Sequence, residues 1–182
     1  MPFADQLTVA RALAAPLVVL LFSLHFGNHD YWGTAIFGIA MSTDWFDGRI
    51  ARRSGRTTSF GSLLDPVADK ILVLGTLVVL LDQGVFPAWM VAAIVARELL
   101  ISGLRLAALE RGVVIAARDL GKLKTWSQAI AAGAGGIAAG GAWSHSVSWW
   151  LLLVAVGLTW VSGIDYARSA PSVLRGRAVA PS

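Results

Sequence analysis

Long apolar runs separated by short polar clusters dominate the chain. Six of them, at about residues 7–26, 32–50, 63–83, 86–109, 123–142 and 148–168, approach the ~20 residues that cross a bilayer as a helix. The pattern predicts an all-α fold: a polytopic six-transmembrane-helix bundle with an active-site cavity at one membrane face. No soluble domain, long linker or internal repeat interrupts it. Residues 1–170 read as one membrane domain, and residues 171–182, with two prolines and two arginines, as a loosely ordered tail.

The polar positions between the runs give the bundle a direction. The connections Phe26–Tyr31, Asp82–Phe86 and Trp143–Val147 contain no Lys or Arg. The opposite side carries Arg49, Arg52, Arg53 and Arg56, then Arg111, Arg118, Lys122 and Lys124, then Arg168, Arg175 and Arg177. Basic residues collect on the cytoplasmic side, so both termini are expected there, as an even number of spans requires. Trp32, Trp89, Trp143, Trp149 and Trp150 fall near the outer boundary, where indole favours the interface.

Composition agrees with a membrane protein: 56% of the 182 residues are hydrophobic and 14% charged, with a mean hydropathy of +0.67. The net charge of +4 is explained by orientation and gives no reason to expect a nucleic-acid partner. There is no cysteine, so neither a disulfide framework nor a thiolate metal site is available. Residues Met1–Thr8 show no basic leader region, and the first apolar segment is read as retained. The small-residue run Ala131–Gly136, continuing to Gly140-Gly141, permits close helix packing, either within the bundle or between protomers.

Ionisable residues inside apolar segments need partners, and Arg11, Lys70, Arg97, Glu98 and Arg105 are of this kind. Arg97 and Arg105 are eight apart and share a helical face. With Arg118, Lys122 and Lys124 they form a candidate pocket for the phosphate of an anionic substrate. The alternatives are a structural ion pair at Arg97 or Glu98 and a solvated basic loop for the last three. His25, His29 and His145 lie at the outer connections, far from any carboxylate cluster, and are poor catalytic candidates.

The strongest chemical signal runs from Asp44 to Asp69. Asp44 and Asp47 lie at i, i+3 and Asp65 and Asp69 at i, i+4, so each pair shares one face of a helix. Four carboxylates gathered from two facing helices repel one another unless cations sit among them, and hard oxygen donors suit two Mg²⁺ or Mn²⁺ ions better than zinc. Gly48 and Gly61 would let a bulky ligand approach the backbone, and Arg52 offers a planar fork for phosphate oxygens. Each fragment alone has a simpler reading: Asp65 before Pro66 as a helix N-cap, Asp44 and Asp47 as partners of Arg49, Arg52 or Arg53.

The whole spacing, Asp44-x2-Asp47-Gly48-x2-Ala51-Arg52-x8-Gly61-x3-Asp65-x3-Asp69, resembles the signature of the CDP-alcohol phosphatidyltransferases, integral membrane enzymes of phospholipid synthesis. The resemblance implies transfer of a phosphatidyl group from a CDP-lipid to an alcohol with release of CMP. It implies Asp44, Asp47 and Asp65 as metal ligands, and Asp69 as the catalytic base that also touches a metal. Gly48, Ala51, Arg52 and Gly61 would surround the cytidine diphosphate, and the enzyme would be a homodimer in a bacterial cytoplasmic membrane.

Further stretches are similar to the phosphatidylglycerophosphate synthases within that family. They are Leu7-Thr8 with Arg11 and Pro16, Asp69-Lys70, Ala96-Arg97-Glu98-Leu99, Ile101-Ser102-Gly103-Leu104-Arg105, and Gly121-Lys122-Leu123-Lys124-Thr125 with Gln128. Ala4-Asp5-Gln6 departs from the usual Pro-Asn start. The implied substrates are CDP-diacylglycerol and glycerol 3-phosphate, with an inositol-phosphate acceptor as the nearest rival. A metal-ion or anion transporter is the rival from another class, and the lack of charge in the outer half of the segments speaks against it.

Overall fold

The computed structural model describes residues 3–24, 26–54, 59–110 and 119–174; helical residues 3–5, 7, 44–54, 59–66, 119 and 169–174 are described by their backbone alone. The described residues form six helices: α1 (Phe3–Ser23), α2 (His29–Ser54), α3 (Ser59–Asp82), α4 (Ala88–Glu110), α5 (Asp119–Ala139) and α6 (His145–Leu174). Each coincides with one apolar run. At the end with the short connections the helices stop within a few residues of the predicted edges, whereas at the other end they continue into the charged clusters. α6 extends past residue 170 to Leu174, and the rest of the predicted tail, 175–182, lies outside the described residues, as does His25.

Two of the three short connections close with the same device. Gly84 and Gly141 have φ of 74° and 82°, a region that penalises a Cβ. The N–H of Gly84 donates to Leu81 O and that of Val85 to Leu80 O, at 3.0 and 2.9 Å. Gly141 to Ala138 O and Ala142 to Ile137 O repeat the pattern at 3.0 and 3.2 Å. These are Schellman caps, which satisfy carbonyls that a helix end leaves unpaired. Gly141 is therefore a helix stop, apart from the small-residue packing face.

α1 packs on α2 and α3, α5 on α6, and α4 on α6; α2 and α3 also reach α5, and α3 touches α4. Val18, Phe22, Leu72, Leu77, Leu80, Met90, Ile94 and Leu152 are at most 2% exposed and form the apolar core. The small residues of α5 face this core. A Cβ at Gly135 would lie 2.5 Å from Phe86 Cζ, one at Gly140 2.7 Å from Tyr31 Cζ, and one at Gly136 would collide with Thr34 Oγ1. Of the two roles open to the glycine run, packing within the bundle is the one these three positions serve.

Around this apolar core, described charges turn inward and the exterior is apolar, unlike a protein that faces water. The described interior holds Thr8, Arg11, Thr76, Arg97, Glu98, Lys124, Gln128, Thr159 and Ser162, while Leu13, Leu20, Ile39, Ile71, Leu99, Leu100, Leu106 and Val154 are more than half exposed. Among the described residues one helix, His145–Arg168, is long and apolar enough by composition to cross a membrane, with a mean hydropathy of 1.8. The described ionisable residues within α1, α4 and α5 that lower their hydropathy include Arg11, Arg97, Glu98 and Lys124, and these four are turned inward.

Candidate active site

α2 is helical through positions 44 and 47, and α3 through 65 and 69, so the spacing that places each carboxylate pair on one face is realised in the backbone. α3 begins at Ser59, well before Asp65, so Asp65 and Pro66 stand inside the helix and the N-cap reading fails. The side chains of Asp44, Asp47, Gly48, Ala51, Arg52, Gly61 and Asp65 lie outside the described residues. No group of three metal-binding side chains occurs among the described residues, which leaves out three of these four aspartates. The donor set itself, carboxylate oxygens from two helices that both pack on α1, fits hard divalent cations.

Asp69 is the described member of the motif. Arg11 of α1 donates from a terminal guanidinium nitrogen to Asp69 Oδ1 at 2.8 Å, and the two side chains are 2% and 22% exposed. A buried arginine of α1 thus fixes one oxygen of the carboxylate for which the resemblance implies a catalytic role. From Asp69 to the end of α3 at Asp82 is 13 residues, ~20 Å along the helix. The site therefore sits well away from the short connections, toward the basic end.

One residue further, Lys70 Nζ donates to Ser102 Oγ of α4 at 2.5 Å, and Ser102 Oγ donates in turn to Glu98 O at 2.6 Å. Glu98 is the centre of a buried network. Its Oε1 accepts from Lys124 Nζ of α5 at 2.5 Å, from Arg97 Nη1 at 3.1 Å and, at the longer distance of 3.5 Å, from Gln128 Nε2. Arg97 reaches α6 with its remaining donors, Nε to Thr159 O at 2.9 Å and Nη2 to Ser162 Oγ at 2.6 Å. Gln128 Nε2 also bonds Thr159 Oγ1 at 2.7 Å. A charge buried alone costs several kcal/mol, and this convergence of donors offsets that cost.

The proposed anion pocket is thereby resolved into unlike parts. Arg97 and Lys124 are brought together on Glu98 and buried, at 5% and 8% exposure. Arg105 is exposed, its guanidinium carbon 5.9 Å from the ring centroid of Tyr166 on α6. Lys122 is exposed on α5, and Arg118 lies outside the described residues. Arg97 and Arg105 both lie against α6, as their shared face requires. Lys70, Arg97 and Lys124 stand within electrostatic range of one another about the carboxylate of Glu98, and Arg105 lies within range of Lys70 and Arg97 alone. His29 sits with Asp30 at 3.2 Å at the opposite end, away from this cluster, and so does His145 at the start of α6.

Sequence reasoning passed over the α6 face. Thr159, Ser162, Gly163 and Tyr166 lie at i, i+3, i+4 and i+7, a polar stripe on an otherwise apolar helix. That periodicity was the available signal. A Cβ at Gly163 would stand 3.0 Å from Arg97 Nε, so glycine there makes room for the arginine to cross α6.

The comparisons with known proteins converge on one family. The sequence matches the profile described as CDP-alcohol phosphatidyltransferase over residues 1–161, which contain the acidic motif and, apart from Ser162, the network around Glu98. It is 39% identical over 142 residues, 71% of this chain and 74% of the relative, to the Bacillus subtilis CDP-diacylglycerol–glycerol-3-phosphate 3-phosphatidyltransferase. It is 40% identical over 131 residues, 69% and 71% of the two chains, to the Escherichia coli protein of the same name. A Mycobacterium tuberculosis protein named "Probable phosphatidylglycerophosphate synthase" is 38% identical over 172 residues, 92% of this chain and 80% of its own. With a profile match across most of its length and relatives at this identity, the chain belongs to the CDP-alcohol phosphatidyltransferase family.

Proposed function

We propose that this protein transfers the phosphatidyl group of CDP-diacylglycerol to glycerol 3-phosphate, forming phosphatidylglycerophosphate and CMP. The relatives' names support both substrates. The observation that carries the acceptor reading is the surplus of positive charge in the described network: Arg97 and Lys124 bonded to one Glu98, with Lys70 tied to the same turn of α4 through Ser102. A described cluster with more cations than carboxylates is stabilised by an anionic ligand, and a phosphate monoester supplies one.

The reaction forms a bond from a glycerol hydroxyl oxygen to the β-phosphorus of CDP-diacylglycerol and breaks the bond from that phosphorus to the bridging oxygen, which leaves with CMP. The hydroxyl proton passes to Asp69, whose carboxylate Arg11 holds in place. Asp44, Asp47, Asp65 and Asp69 would hold two divalent cations, Mg²⁺ or Mn²⁺. When bound, these neutralise pyrophosphate charge and stabilise the leaving group. Gly48, Ala51, Arg52 and Gly61 line the cytidine diphosphate, and Arg97, Arg105, Arg118, Lys122 and Lys124 serve the acceptor phosphate by contact or by charge.

The helices are six membrane spans of a bacterial cytoplasmic membrane, with both termini and the cavity on the cytoplasmic side. The apolar exterior and the basic end support this reading. The protein pairs as a homodimer through a surface other than the face presented by Gly135, Gly136 and Gly140, which Phe86, Thr34 and Tyr31 already occupy.

CMP release by purified protein from CDP-diacylglycerol, with glycerol 3-phosphate or inositol phosphate as sole acceptor, tests the function. Release that depends on glycerol 3-phosphate is expected. Release with inositol phosphate alone rules out the proposed acceptor.

A further inference from the structure

The acceptor phosphate pocket, in the reading above, is made of long cationic side chains, and a lysine has four rotatable bonds along which to miss its ligand. The network around Glu98 removes that freedom in steps. Arg97 is tied to the α6 backbone at Thr159 O and to Ser162 Oγ, with Gly163 giving it room. Arg97 holds Glu98 Oε1, and the same oxygen takes Lys124 Nζ at 2.5 Å. Three helices thus fix the position of one ammonium group. An ammonium has three donors, and the one directed to Glu98 leaves two for a ligand. Without the carboxylate, Arg97 and Lys124 are like charges side by side in the interior, and each would withdraw from the other.

We propose that Glu98 is a positioning residue of the acceptor site, acting through Lys124. It holds the lysine ammonium where the phosphate of the acceptor binds and itself touches neither substrate. This rests on the proposed function and adds to it a division of labour: Arg97 and Glu98 build the support, and Lys124 meets the ligand.

Kinetics of the detergent-purified full chain test the assignment. Glu98→Gln keeps shape and removes charge. It should raise the KM for glycerol 3-phosphate roughly tenfold to a hundredfold, the size of a lost charged hydrogen bond, and leave the KM for CDP-diacylglycerol unchanged. In a Lys124→Gln background the same substitution should add little, because the residue it acts through is gone. Glu98→Asp, which keeps the charge but shortens its reach, should raise the same KM by less.

An unchanged KM for glycerol 3-phosphate in Glu98→Gln overturns the proposal. So does a parallel rise in both KM values, which is what a merely structural role gives, or a full-sized effect persisting in the Lys124→Gln background. If Glu98→Gln yields no folded protein, Glu98→Asp alone and with Lys124→Gln decides by the same criteria. Wild-type protein that releases no CMP with glycerol 3-phosphate refutes the proposed function and this inference together. Wild-type turnover with any of the contrary results above refutes this inference alone.

Discussion

The two ends of the bundle are held together by different physics. At the end with the short connections, contacts are steric: Gly135, Gly136 and Gly140 meet Phe86, Phe22, Thr34 and Tyr31, and Gly84 and Gly141 cap their helices. The polar ties there also join helices at their tips, Tyr31 hydroxyl to Gly140 O at 2.7 Å and Gln83 Nε2 to Phe22 O and Asp30 Oδ1 at 2.8 and 2.9 Å. Toward the basic end the ties are ionic and buried, Arg11 to Asp69 and Arg97 and Lys124 to Glu98. Close steric packing gives a base that does not depend on buried ion pairs between helices. Buried ion pairs are a poor route to stability, since their desolvation offsets their attraction, and in the proposed function they serve instead to preorganise charge for an anion. Substitutions at the first end should change stability with little effect on kinetics, and those at the second should change kinetics first.

The largest effect is expected at the aspartates. Replacing Asp44, Asp47, Asp65 or Asp69 singly with Asn keeps the shape and removes a charge, so folding should survive while CMP release falls by orders of magnitude; EDTA should abolish release and Mg²⁺ or Mn²⁺ restore it. Near-full turnover of any one variant in saturating Mg²⁺ refutes that residue's role. Next in size, Arg105→Gln should raise the KM for glycerol 3-phosphate roughly tenfold to a hundredfold with that for CDP-diacylglycerol unmoved. Both values moving together would place Arg105 outside the acceptor pocket.

How legible the molecule was in its sequence follows the same division. Six apolar runs gave six helices, because a span of ~20 apolar residues has few other solutions. Their charged ends were underestimated: α2 runs on to Ser54 and α3 starts at Ser59, since hydropathy marks the apolar stretch while arginine remains a good helix former. Arg11, Lys70, Arg97, Glu98 and Arg105 were recognisable as charges in need of partners, and an ion pair at Arg97 or Glu98 was one reading of them; Arg105 proved exposed, and the partners on other helices were not legible. Arg97 pairs across 62 and 65 residues with Thr159 and Ser162, and Lys124 across 26 with Glu98. Separations of that kind are fixed by which helices become neighbours, which hydropathy does not encode. The glycine run left two uses open for the same reason, until Phe86, Phe22 and Tyr31 supplied its facing surface.

The steric end offers a cleaner test of stability. A Cβ at Gly136 would strike Thr34 Oγ1 and stand 3.0 Å from Phe22 Cζ, so Gly136→Val should overpack the α2–α5 contact and lower stability by about 1–3 kcal/mol. Thermal unfolding in detergent reads the loss, and the folded fraction should keep both KM values. A shift in the KM for glycerol 3-phosphate would show that the two ends are mechanically coupled.

The smallest effect is expected at Gly84, where conformation can be separated from contact. A Cβ there meets nothing within 4 Å, yet φ is 74°, so Gly84→Ala should cost about 1–2 kcal/mol through backbone strain alone. Gly84→Asn should recover part of this, because asparagine tolerates the left-handed region better than other residues with a Cβ. Gly27 is the control: a Cβ there also meets nothing within 4 Å, and its φ lies outside the left-handed range. Gly27→Ala should therefore leave the melting temperature of the detergent-purified protein unchanged or slightly raised. If Gly84→Ala and Gly27→Ala behave alike, the left-handed backbone at Gly84 carries no strain for a Cβ, and glycine is not what the cap there requires.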